Sequence, residues 1–137
     1  MRRALAAAAL LALAGGCGGG GTSSGDCANA AFIAYRQNAD ATHEVTVCGS
    51  VMRVSQARTR SGRHEYLDLQ VSGTIPVRVI VNEDEEGPVP AHAGSSVLAH
   101  GRYFNDGDRD GIDWTHHGAG RSWPYPGYLV VDGQRYQ

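Results

Sequence analysis

The chain predicts a small, mainly β domain: a five-stranded barrel with an N-terminal amphipathic helix before it and a C-terminal hairpin behind. Three observations predict this. From Val45 onward apolar residues recur at every second position, as a strand buried on one face requires. Two of these runs carry a glycine within the alternation, Gly49 and Gly101, and glycine inside a strand marks a bulge or a barrel corner. Before the first strand, Ala28, Ala31, Phe32 and Tyr35 fall at i, i+3, i+4 and i+7, the spacing of one helix face.

In order, Cys27 to Ala39 reads as the helix, with Asp26 placed to cap its N-terminus. Its apolar stripe needs a sheet to cover. The first strand sets Val45, Val47, Gly49 and Val51 against Thr46, Cys48 and Ser50. A second runs from His64 to Val71 with Leu67, Leu69 and Val71 inward, and Ser72-Gly73 turns it into a third, Ile75 to Val81. Loop signals fill Asn82 to Gly94, and a fourth strand, Val97 to Phe104, follows. Beyond an Asp-rich tip, Ile112 to His117 is the fifth. Tyr128–Val131 and Gln134–Tyr136, joined by Asp132-Gly133, form the hairpin. An OB-like barrel spanning 27–137 as one domain fits this set.

The N-terminus reads as an export signal. Arg2 and Arg3 precede an apolar run from Ala4 to Ala14, far short of the ~20 residues that span a bilayer. Ala14-Gly15-Gly16-Cys17 resembles a lipobox, which makes 1–16 a lipoprotein signal peptide and Cys17 the lipidated N-terminus; Ala12-Leu13-Ala14 also fits a plain A-x-A cleavage site. Residues 17–26 then form a Gly/Ser tether. The expectation is a monomer in the bacterial cell envelope, held to the membrane through lipid on Cys17. Of three cysteines, that leaves Cys27 and Cys48 to form a disulfide in an oxidising compartment, two buried thiols being the alternative.

All 12 basic residues are Arg. Without Arg2 and Arg3 ten remain against 14 Asp and Glu, a net charge of about −4 that speaks against a generic nucleic-acid binder. Basic character is local, in Arg53, Arg58, Arg60, Arg63 and His64, opposed by the acidic runs 83–86 and 106–113, which read as solvated loops.

Chemistry is sought in Asp113-Trp114-Thr115-His116-His117. On a regular strand Trp114 and His116 share one face while Asp113, Thr115 and His117 share the other, where Asp113 is placed to orient His117. The alternative is a core Trp with histidines satisfied by polar neighbours. Asp106-Gly107-Asp108-Arg109-Asp110-Gly111 matches half a calcium loop but has His117 where a bidentate Glu is required, so it reads as a hairpin tip. No metal and no cofactor is expected. The Trp123-Pro124-Tyr125-Pro126-Gly127-Tyr128 run either offers stacking faces or packs over the open barrel end.

From Val45 to Gln137 the chain resembles an uncharacterised family of small exported bacterial proteins, "domain of unknown function 3465", whose signature is a late His-Trp-Thr-His-His segment. The matching positions are Gly62-Arg63-His64, Asn82, Asp84, Gly101, Tyr103, Trp114-Thr115-His116-His117, Gly127 and Tyr136. Asp113 stands where the family has its first histidine, and Val81 and Gly118 replace two potential metal ligands. The resemblance implies an OB-like fold and a site near the barrel mouth, with no activity attached.

The readings that follow are three. The first is an envelope binding module for an anionic or sugar-like small molecule or oligomer, its cleft drawn from Arg63, His64, Asn82, Asp113, Trp114, Thr115, His116 and His117. The second is a hydrolase of phosphodiester type with His64 or His117 as general base. The third is a structural envelope protein using the barrel edge for protein contacts. On the first reading His64 meets one of His116 or His117 at the barrel mouth.

Overall fold

The computed structural model describes residues 27–36, 43–117 and 123–137. Its elements are α1 (Asn29–Tyr35), β1 (His43–Thr59), β2 (Gly62–Val71), β3 (Ile75–Asn82), α2 (Glu83–Glu86), β4 (Ser96–Asn105), β5 (Asp110–Asp113), β6 (Tyr128–Val131) and β7 (Gln134–Tyr136). Strands pair in the order β1-β2-β3-β5-β4, and β4 pairs back onto β1, so five strands close into a ring. The β3–β5 pair is parallel and the others antiparallel, which is the OB-like arrangement. β6 extends the outer edge of β4 and carries β7.

Closure rests on β1. Its first half, His43 to Ser50, pairs with β4, and its second, Gly49 to Thr59, pairs with β2. At the changeover Gly49 lies so close to β2 that a Cβ there would sit 2.6 Å from the Gln70 carbonyl oxygen. A register shift between Val51 and Arg53 then bulges Met52 outward and bends the strand. The alternation sends Val45, Val47, Val51, Leu67, Leu69, Val71, Val77, Val79, Val81, Val97, Ala99 and Ile112 into one core.

α1 is tied down four ways. Phe32, 1% exposed, meets Tyr103 edge-on with ring centroids 5.9 Å apart. Cys27 and Cys48 are bridged across a sequence separation of 21, with Cα atoms 5.6 Å apart. A loop of that length adds about 3 kcal/mol in the chain-entropy treatment. Asn29 exchanges two hydrogen bonds with the Cys48 backbone, 2.8 and 2.9 Å. At its other end Arg36 donates to Asp110 at 2.7 Å, and the same buried carboxylate accepts from Tyr103 Oη and Asn105 Nδ2.

Four sequence expectations are corrected. The helix begins at Asn29, with Ala28 and not Asp26 at the N-cap position; Cys27, just before it, is held by the bridge. Asp110 is no solvated tip residue but a buried acceptor, 3% exposed. Within the expected loop 82–94, Asn82 accepts a hydrogen bond from the Asp84 amide and starts the one-turn α2. The fifth strand stops at Asp113, because Trp114 adopts a left-handed backbone with φ 55°. The signal peptide, Cys17, the tether, Asp26, the expected helix end at 37–39 and Gly118 lie outside the described residues.

Gly49→Ala places a methyl against the β2 backbone, which cannot retreat without breaking the β1–β2 ladder. We expect a loss of about 1–3 kcal/mol, the usual cost of overpacking, in a urea titration; unchanged stability would refute the corner's tightness.

Candidate functional site

Alternation on β2 and β3 leaves an outer face. Leu67, Val79 and Val81 point inward with Glu65, so His64 and Tyr66 on β2 and Ile80 and Asn82 on β3 point outward. Over this face lies an open cavity of about 370 Å³. The β1–β2 turn supplies Thr59 and Ser61, α2 supplies Glu85, and the segment leaving β5 supplies Asp113, Trp114 and His116. The cavity thus sits against the outside of β2–β3, at the His64–Asn82 end of that pair. In OB folds this face, with the β1–β2 and β4–β5 loops, receives oligonucleotides and oligosaccharides.

Trp114 shapes one wall. A bulky residue at positive φ is strained by roughly 1–3 kcal/mol, so its surroundings must hold it. Asp113 accepts both Nε and Nη2 of Arg102 at 2.7 and 2.5 Å, and that guanidinium lies 5.8 Å from the Trp114 ring centroid. The Asp113 hydrogen bond raises the Arg102 pKa, fixing the cation there. His116 packs against the indole with centroids 5.3 Å apart. Behind this segment, the Gly127 amide donates to the His116 carbonyl at 2.8 Å. A Cβ on Gly127 would run into the Trp114 carbonyl and come within 2.7 Å of the Thr115 Cα. Trp123 of the same run is buried, 7% exposed, and Tyr125 stays outside, so this run packs over the wall and leaves Trp123 no free stacking face.

Two imidazoles reach the cavity with defined hydrogen bonds. His64 Nδ1 faces the Gly62 carbonyl at 3.2 Å, with Ser61 Oγ 3.5 Å from Nε2. His116 Nδ1 faces the His117 carbonyl at 2.9 Å. A carbonyl only accepts, so in each neutral ring Nδ1 carries the proton and Nε2 is left as an acceptor.

Three sequence candidates stand elsewhere. Arg63 donates from its backbone amide and from Nε to Asp84, both at 3.0 Å, outside the cavity. Thr115 is fully buried and donates to Glu86 at 2.6 Å. His117 is exposed and meets Gln137, not Asp113. The strand that would have put Asp113 and His117 on one face ends at Asp113, before His117, and Arg102 occupies Asp113 instead. Tyr66, Thr59, Ser61 and Glu85 enter the cavity without having been picked out. Tyr66 was visible as the outward neighbour of His64 in the alternation.

The sequence also gave no hint of a buried carboxyl pair, one member of which lies in a run that reads as solvated. Burial pushes Glu86 up to about 7, with the Glu65 charge adding to it, against hydrogen bonds from Thr115 and the Asn82 amide. Glu65, 5% exposed, is raised by burial and by Glu83. Each keeps one buried oxygen without a hydrogen-bond partner among the described residues. Glu86 therefore joins α2 to the Trp114 segment through Thr115 and favours its protonated form.

Between the ordinary value of 4.5 and about 7, the folded chain keeps a proton that the unfolded chain has released. Stability from this group is fully present below that window and is lost as pH rises through it. Glu86→Gln imitates the protonated form, so its melting temperature should match the parent near pH 4.5 and exceed it at pH 8. A constant difference across that range in a thermal-melt series would sink the assignment. No family model, curated protein or solved structure matches the chain.

Proposed function

We propose that this protein is an exported, lipid-anchored binding module of the bacterial cell envelope, and that the outer face of β2–β3 takes a sugar-like oligomer. The observation that carries the reading is Trp114: a strained, half-buried indole backed by Arg102 and turned onto a cavity that also holds Tyr66, two histidines, two hydroxyls and Asn82. Aromatic faces with hydroxyl and amide groups around them suit sugar rings, which offer an apolar face and a polar rim. Glu85 and Asp113 in the same lining, and Arg63 tied to Asp84, favour this over a wholly anionic ligand. Anchoring rests on the Cys17 box and tether, and kinship with the domain of unknown function 3465 on Trp114-Thr115-His116-His117.

The hydrolase reading has one observation in its favour, the approach of Ser61 Oγ to His64 Nε2. At 3.5 Å it is longer than the ~2.6–3.2 Å of a nucleophile and its base, and the carboxylates of the cavity do not touch the imidazole. Binding without turnover is the stronger reading.

Trp114→Gly relieves the left-handed strain while removing the stacking face. Its folding stability should stay within about 1 kcal/mol of the parent, strain relief offsetting lost contacts. Affinity for a neutral oligosaccharide such as cellotetraose, read by calorimetry, should fall roughly tenfold or more; undiminished affinity would remove Trp114 from the site. Separately, Cys17→Ser should release the protein from the membrane or leave the precursor uncleaved at that site, and a variant that both fractionates and migrates like the parent contradicts lipid anchoring.

A further inference from the structure

The outer face continues past the Trp114 cavity. A second cavity of about 340 Å³ lies along the same strands, with Arg53, Asp68, Arg78, Asp108 and Arg109 in its lining. The two are consecutive steps of one track. Across β2 and β3 the facing pairs are His64–Asn82, Tyr66–Ile80 and Asp68–Arg78; the first two line the Trp114 cavity and the third lines the second one. Same-face neighbours on a strand are about 7 Å apart. The Arg78 guanidinium lies 5.2 Å from the Tyr66 ring centroid and so joins the two floors.

The chemistry changes along this track. In the second cavity Arg53 and Arg78 converge on the single carboxylate of Asp68, at 2.8 and 2.7 Å. Arg109 forms no ion pair among the described residues. Within the lining three guanidinium groups face two carboxylates, Asp68 and Asp108, and Asp106 beside it also acts on Arg78, so the charges balance and Arg109 is the guanidinium that an incoming anion would meet without displacing an ion pair. Guanidinium forks match a carboxylate or sulfate geometrically as well as electrostatically.

Resting on the sugar-binding reading of the first cavity, we propose that the Arg53–Arg78–Arg109 cavity is an anion subsite of the same site, and that the ligand is an acidic oligosaccharide. One ring stacks at Trp114 and Tyr66, while the carboxylate or sulfate of another residue lies among the guanidinium groups. A single-stranded nucleic acid would also offer rings and anions. It carries a phosphate at every residue, however, and would set phosphates beside Glu85 and Asp113 in the first cavity. An oligosaccharide bears its charge only where an acidic sugar stands, which suits a track that is aromatic, with Glu85 and Asp113, at one end and lined by guanidinium groups at the other.

The test is residue-resolved NMR titration of the full chain with three probes: cellotetraose, tetragalacturonate and a hexathymidylate. Cellotetraose should shift the Trp114 indole and leave the Arg109 and Arg78 Nε–H signals in place. Tetragalacturonate should shift all three and bind about tenfold more tightly, the order expected for one charged hydrogen-bonding site. The double variant Arg53→Ala with Arg109→Ala should close that gap and leave cellotetraose binding unchanged, since Asp68 still neutralises Arg78. Equal affinity for the two sugars, or a gap that survives the double variant, overturns the subsite while the neutral sugar still supports the site. If neither sugar shifts Trp114, the sugar-binding reading falls and the subsite with it. Tighter binding of hexathymidylate than of either sugar overturns the acidic-sugar assignment.

Discussion

One strand has to serve two partners. β1 gives its first half to β4 and its second to β2, and without that double pairing the five strands would be an open sheet with two raw edges. Closure demands that β1 bend, and the bend demands a residue with no side chain where its backbone nearly touches Gln70. Gly49 and the bulge at Met52 meet those demands. The rest follows in sequence: the bent β1 brings its far end to the β1–β2 turn, which places Thr59 and Ser61 over the outer face of β2, and β5 is drawn into the ring beside β3 so that Trp114 leaves it on the same side.

The division between legible and illegible parts follows from the range of the forces involved. Strand alternation is local, and a two-residue period in Val45–Val51, Leu67–Val71 and Ile75–Val81 is enough to assign strands and faces. Gly49 marked the corner for the same reason, whereas Gly101 marks a place where backbones crowd, a Cβ there running into the Asp113 carbonyl oxygen. Capping at Asn82 was also local: an Asn followed by four acidic residues carries an N-terminal helix signal that a loop-rich composition obscured. Trp114 could not be read this way. Nothing in Asp-Trp-Thr-His-His signals a left-handed backbone, because what holds it is the distant Arg102, the Thr115–Glu86 bond and the Gly127 amide.

Charge shows the same contrast. Acidic runs in a sequence suggest solvated loops, and Asp106, Asp108 and Glu85 behave so. Asp110 and Glu86 do not, though they sit within the same runs. Asp110 accepts hydrogen bonds from Arg36, Tyr103 and Asn105; Glu86 has no cation beside it among the described residues, and burial favours its protonated form. Burial of one carboxyl strengthens the helix attachment, and burial of the other makes the attachment of α2 to the cavity wall sensitive to protons. Only the long-range partners distinguish the two cases.

Gly127 grips the cavity wall through backbone atoms alone: its amide bonds the His116 carbonyl, and its missing side chain makes room for residues 114 and 115. Such a clamp is indifferent to what side chains Trp114 and His116 carry. The path of the wall and the chemistry it displays are therefore set by different atoms. Mutation can explore new surfaces at 116, and at 114 among side chains that tolerate a left-handed backbone, without having to rediscover the loop that presents them, which is the condition under which a scaffold diversifies its ligands while its shape is inherited unchanged.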